Sequence, residues 1–160
     1  MSNAKWLRLF GWVLMCLLVG GLLGSLFTTP AIPTWYSTLV KPSFQPPNWL
    51  FGPVWTILYI LMGISAFLIW ESGAPKKVKN TAIIIFLVQL GLNALWSPIF
   101  FTLHMLLLAL VEIIILWIAI LITMIKFYRI SKPASILLVP YFLWVSFASF
   151  LSFHIWLLNK

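Results

Sequence analysis

Four apolar runs, each long enough at about 18 residues or more to cross a hydrocarbon layer, succeed one another along a chain of 160 residues. A fifth joins them once the Pro- and aromatic-rich region around Trp55 is included. We read the spans as residues 6–27, 48–70, 80–101, 105–127 and 134–158, with an outer connection at 28–47. In hydrocarbon every backbone polar group needs an internal partner, which only helices and closed barrels provide, and barrel strands alternate rather than run continuously apolar. The expected fold class is therefore all-α: a single membrane domain built as a bundle of five transmembrane helices.

The net charge of +8 suggests nucleic acid only until its location is considered. The basic residues sit in turns and no basic stripe with interleaved aromatics exists, so no nucleic-acid partner is expected. With alternate connections assigned to opposite sides, Lys5, Arg8, Lys76, Lys77, Lys79, Lys126, Arg129 and Lys132 fall on one face and Lys41 and Lys160 on the other. Positive residues favour the cytoplasm, which puts the N-terminus inside and the C-terminus outside, as in a bacterial inner membrane. Merging or deleting a span would erase this bias. The first run is too long and too Gly-rich for a cleaved leader. Trp6, Trp35, Trp49, Trp70 and Trp156 lie at predicted span ends, where indoles anchor at the interface.

Polar residues deep in the spans are costly and therefore informative. Counted from the outer ends, Trp55, Asn93, Glu112 and Ser149 share a depth of very roughly 11–13 Å. On the third span Gln89, Asn93, Trp96, Ser97 and Phe100 share one helix face; Tyr141, Trp144, Ala148 and Ser152 form a stripe on the fifth, and Trp55, Tyr59 and Gly63 one on the second. Aromatic walls with a few hydrogen-bonding groups describe a ligand pocket. The alternative is that these polar groups only join helices. The outer connection, with five prolines and Trp35, Tyr36 and Phe44, is expected to cover the bundle mouth as a lid. Pro98 and Pro140 are expected to kink their spans, and Gly20 and Gly24 have the spacing of a helix-pairing motif that would serve a homodimer. Cys16 is alone, and His104 and His154 form no carboxylate cluster, so neither a disulfide, a metal site nor a hydrolytic catalytic set is expected.

Several strings in this frame are those of one family. Trp35-Tyr36, Lys41-Pro42-Ser43 and Pro46-Pro47 precede Phe51-Gly52-Pro53-Val54-Trp55-Thr56; Leu92-Asn93-Ala94-Leu95-Trp96-Ser97 follows, then Pro140-Tyr141-Phe142-Leu143-Trp144 with Phe147-Ala148. In order and spacing, over about residues 35–159, the chain resembles the translocator protein family, also called tryptophan-rich sensory proteins or peripheral benzodiazepine receptors. The resemblance implies a five-helix bundle, often a homodimer, that binds porphyrins and other tetrapyrroles as non-covalent ligands in a receptor, sensor or transporter role. It assigns ligand contacts to Tyr36, Trp55, Asn93, Trp96, Trp144 and Ala148. Some bacterial members are reported to degrade porphyrin in light, which would make Trp55 and Trp144 the redox-active indoles. A dimeric scaffold acting through a partner protein is the structural alternative. Cholesterol binding is not implied, because Phe153 and Leu157 stand where animal members carry a Tyr and an Arg, and Leu151-Ser152 replaces the usual Leu-Asn pair.

Overall fold

A computed structural model describes residues 2–160, all helical apart from short connections. Among the described residues five helices are long and apolar enough to cross a membrane: Asn3–Ala31, Asn48–Trp70, Lys76–Phe101, Leu106–Tyr128 and Lys132–Leu158. They close into a ring in the order first, second, fifth, fourth, third. The protein is an integral membrane protein with the expected fold class. Exposed Leu, Ile, Val and Phe cover its outside, as a bilayer solvent demands, while Met62, Phe86, Ile120, Phe127 and Tyr141 fill the interior.

The boundaries differ from the sequence reading in three places, each for a local reason. The first span extends through Thr28–Ala31, which the sequence reading places in the outer connection, because the backbone ladder continues to its end, where the Ile32 N–H donates to the Thr28 carbonyl (3.2 Å). The third begins at Lys76 rather than residue 80; its lysines occupy the first turns, where long stems carry the charge out to the interface. The fifth is broken at Leu138, with Pro140 in the first turn of the helix Val139–Leu158 that follows. Here proline starts a new helix, where its missing N–H costs nothing, rather than bending a continuous one. The first span also contains a π-helical stretch, Leu17–Leu22.

Contacts around the ring change with depth. In the half away from the lid, the inner half, the first span lies against the second so closely that a Cβ on Gly63 would sit 2.5 Å from Val13 Cα, and Arg8 pairs with Glu71 at 3.1 Å. Ser65 donates to the Ala134 carbonyl (2.7 Å), tying the second span to the start of the fifth. In the outer half the first span leaves the second and packs on the third, while the fifth packs on the fourth, where Trp117 Nε1 donates to Ser146 Oγ (2.8 Å). The second span is thus held firmly below and splays from its neighbours above. A cavity fills the space this creates.

The lid is built from the connection between the first two spans, with the short helix Trp35–Thr38 near its start. Trp35 stacks on His104 at 4.0 Å, and Tyr36 packs edge-on against Phe100 and Phe101. His104 has φ 55°, a left-handed conformation that turns the chain tightly between the third and fourth spans. At the other margin the Val40 N–H donates to Asn159 Oδ1 (3.0 Å) and Asn159 Nδ2 returns a bond to the Val40 carbonyl (2.9 Å). Phe44 packs on Phe150 and His154 beside this clamp.

Candidate functional site

The cavity beneath the lid has a volume of about 670 Å³, within the range of small-molecule sites. All five spans and the lid contribute walls. Tyr36, Trp55, Asn93, Trp96, Trp144 and Ala148, the residues assigned by resemblance, all line it, together with Tyr59, Ser97, Phe100 and Ser152 from the predicted stripes. The helix faces read from the sequence therefore turn toward one another. The other two members of the polar layer do not join them: Glu112 and Ser149 are absent from the lining. Ser149 donates to the Val145 carbonyl of its own helix (2.8 Å), and Glu112 is buried in the fourth span without a partner for either oxygen. Shared depth brings side chains to one level, but helical rotation decides which of them meet.

At its inner end the cavity is floored by a hydrogen-bonded chain. Tyr59 donates to Asn93 Oδ1 (2.8 Å), Asn93 Nδ2 donates to Tyr141 Oη (3.2 Å), and Tyr141 donates to Gln89 Oε1 (2.8 Å). Three spans are joined, and every hydroxyl in the chain has an acceptor, which matters where water is scarce. Asn93 is consequently fixed in orientation and keeps one amide proton for a ligand. Trp55 stacks on Tyr59 (5.4 Å between centroids, 23° between planes) and meets Tyr141 edge-on at 6.2 Å. Trp96 stacks on Phe100 at 4.8 Å, and Trp144 is propped by Phe51 and Phe147. The indole N–H groups of Trp96 and Trp144 are buried without an acceptor.

The first span contributes a wall that sequence reasoning had given another task. Gly20 is filled by the Tyr59 ring, and Gly24 lies against Ser97, so the small-residue pair packs within the protein and is not a free helix-pairing face. Its signal was present in the stripe Gly20, Gly24, Thr28, but small spacing alone does not say which helix approaches. His104 and His154 lie outside the cavity, among the aromatic residues that hold the lid. Tyr36 presents its hydroxyl from the lid, and burial pushes that hydroxyl up to about 12, so it remains a neutral donor.

The TspO/MBR family profile matches residues 12–157. The chain belongs to the TspO/MBR family. Among its relatives, the tryptophan-rich protein TspO of Chlorobaculum tepidum is 51% identical over 145 residues, covering 91% of each chain. The TspO protein of Archaeoglobus fulgidus is 49% identical over 91% of this chain and 94% of its own. The human translocator protein is 36% identical, over 86% of this chain and 82% of its own. Coverage on both sides makes this a family likeness of the whole membrane domain.

Proposed function

We propose that this TspO/MBR membrane protein binds a porphyrin or another flat tetrapyrrole in the cavity beneath the lid, as a receptor or transporter. The observation that carries the reading is that three indoles, Trp55, Trp96 and Trp144, wall one cavity beside Asn93, whose second amide proton has no partner in the protein. A planar apolar ring gains from stacking on such walls, and its polar edge can accept from that proton. Tyr36 adds a donor at the other end of the cavity. The basic residues gathered at the inner ends of the spans support an N-terminus in the cytoplasm and the lid on the outer side of the cell membrane.

Titration with protoporphyrin IX in lipid nanodiscs tests this. Tryptophan emission is expected to quench saturably with one site per chain, and affinity to fall about ten-fold for Trp96→Phe or Trp144→Phe, which shrink a stacking wall while preserving a ring. Quenching that rises without saturation, equally in all variants, would refer the porphyrin to the lipid and remove the site.

A second reading, light-driven degradation of the bound ring, is favoured by the oxidisable side chains at the cavity floor, where Trp55 contacts both Tyr59 and Tyr141. If Trp55 and Trp144 supply electrons to the excited ring, the Trp55→Phe, Trp144→Phe double variant loses the light-dependent decay of porphyrin absorbance. Decay at the wild-type rate would reduce the reaction to free photobleaching.

A further inference from the structure

The cavity wall is not equally closed on all sides. Every lining residue from the third, fourth and fifth spans is buried or half-buried, as are Ile32 and Tyr36 of the lid segment, whereas the exposed ones belong to the first and second spans. Six of them, Leu22, Ser25, Thr29, Trp49, Gly52 and Thr56, face one another across the gap where the outer half of the first span has left the second. The gap runs from the span ends to roughly 12 Å inward, as the nine helical steps from Leu22 to Ala31 and the eight from Asn48 to Thr56 indicate at about 1.5 Å each. That depth covers the headgroup boundary and the upper acyl region of one leaflet.

The other exits are shut. The lid is latched on one margin by the Trp35–His104 stack and on the other by the paired bonds between Val40 and Asn159. Between the second and fifth spans, where the same splay leaves an apolar groove, the Trp144 side chain lines both groove and cavity and stands between them. The inner end is floored by the Tyr59–Asn93–Tyr141 chain.

We propose that the cavity's ligand enters and leaves sideways, from the outer leaflet of the bilayer, through the gap between the first and second spans. The proposal rests on the reading of the cavity as a binding site for a flat amphipathic ring. Such molecules concentrate at the boundary between headgroups and acyl chains, which is where the gap opens. Its rim matches that environment. Ser25, Thr29 and Thr56 offer hydroxyls to the polar edge of a passing ring, and Trp49, 71% exposed, offers an indole face at the interface. Lateral access also leaves the lid closed during exchange, so the ligand never crosses bulk water.

Gly52 makes the test clean, because a Cβ there meets nothing within 4 Å and a large side chain can grow into the gap without displacing the fold. In nanodiscs, stopped-flow quenching by protoporphyrin IX is expected to show Gly52→Phe slowing association and dissociation together, by about ten-fold or more, since a narrowed passage obstructs both directions. Releasing the lid with Asn159→Ala is expected to leave both rates within about two-fold. The reverse pattern, unchanged rates in Gly52→Phe and acceleration in Asn159→Ala, would place the route through the lid and overturn the proposal. A second measurement needs no porphyrin and so separates failure of the route from failure of the site. A nitroxide carried on Thr56→Cys is expected to collide with membrane-dissolved oxygen and to be shielded from a water-soluble nickel chelate, Cys16 being buried. Preferential collision with the chelate would mean that the gap opens to water, and would refute lateral entry whether or not a porphyrin binds.

Discussion

Gly63→Ala adds one methyl group at a place where the second span lies directly against the backbone of the first. The new Cβ would lie 2.5 Å from Val13 Cα, 2.8 Å from its nitrogen and 2.9 Å from Cγ2. Two of those three atoms are backbone, so no rotamer change relieves the clash; the helices must separate by about 1 Å to restore ordinary contact. Overpacking of this kind costs about 1–3 kcal/mol. Alanine's better helix propensity returns at most about 1 kcal/mol. The net expectation is a loss of about 1–2 kcal/mol, measured by reversible unfolding in mixed micelles of dodecyl maltoside and sodium dodecyl sulfate, followed by circular dichroism. Gly91→Ala is the control, because Gly91 is exposed on the third span and a Cβ there meets nothing within 4 Å. It should be neutral or stabilising by up to about 1 kcal/mol. If Gly63→Ala and Gly91→Ala unfold alike, the close approach of the first two spans is wrong. The account of the cavity as a product of their divergence would fall with it.

Asn93→Leu deprives the Tyr59 hydroxyl of its acceptor and Tyr141 of a donor, and should cost about 1–3 kcal/mol in the same unfolding assay while weakening porphyrin quenching; wild-type stability would mean the chain of bonds is not formed. Arg8→Gln removes a half-exposed ion pair with Glu71 and should cost less than about 1 kcal/mol, less still at high salt; a larger, salt-independent loss would contradict the exposure seen here. Burial of Tyr36 raises its folded-state pKa to about 12, so the stabilisation linked to its protonated form is present below about 10 and lost as pH rises through about 12. Between pH 9 and 11 the tyrosinate absorbance of Tyr36→Phe should therefore match that of the wild type, and a missing increment in that window would show that the lid leaves the phenol open to water.

What the sequence made legible follows from which forces are local. Long apolar runs and the sidedness of Lys and Arg answer directly to the bilayer, so the five spans were readable. The stripe Gln89, Asn93, Trp96, Ser97, Phe100 was readable because helical periodicity puts those residues on one face whatever surrounds it. Glu112 and Ser149 show the limit: depth along a helix can be counted, but rotation is set by neighbours, and each turned away from the cavity. The clamp between Val40 and Asn159 joins residues 119 positions apart and leaves no local trace. The Gly20 and Gly24 stripe was visible, yet its partner was not, because Tyr59 and Ser97 are chosen by tertiary packing.

The π-helical stretch Leu17–Leu22 gives the first span an unusual tolerance of length. Such a stretch behaves as one residue inserted into an α-helix. Removing a residue there would let a regular helix form while the residues beyond keep their facing, so Ser25 and Thr29 would stay at the rim and the outer half would stay on the third span. In a regular membrane helix an insertion or deletion slides the sequence by about 1.5 Å and turns everything beyond it by about 100°. In this one the π-helical stretch can take up one residue of length, so a single deletion inside Leu17–Leu22 leaves what the cavity admits unchanged, whereas the same deletion in the regular helix beyond it turns a different side of the outer half to the ligand.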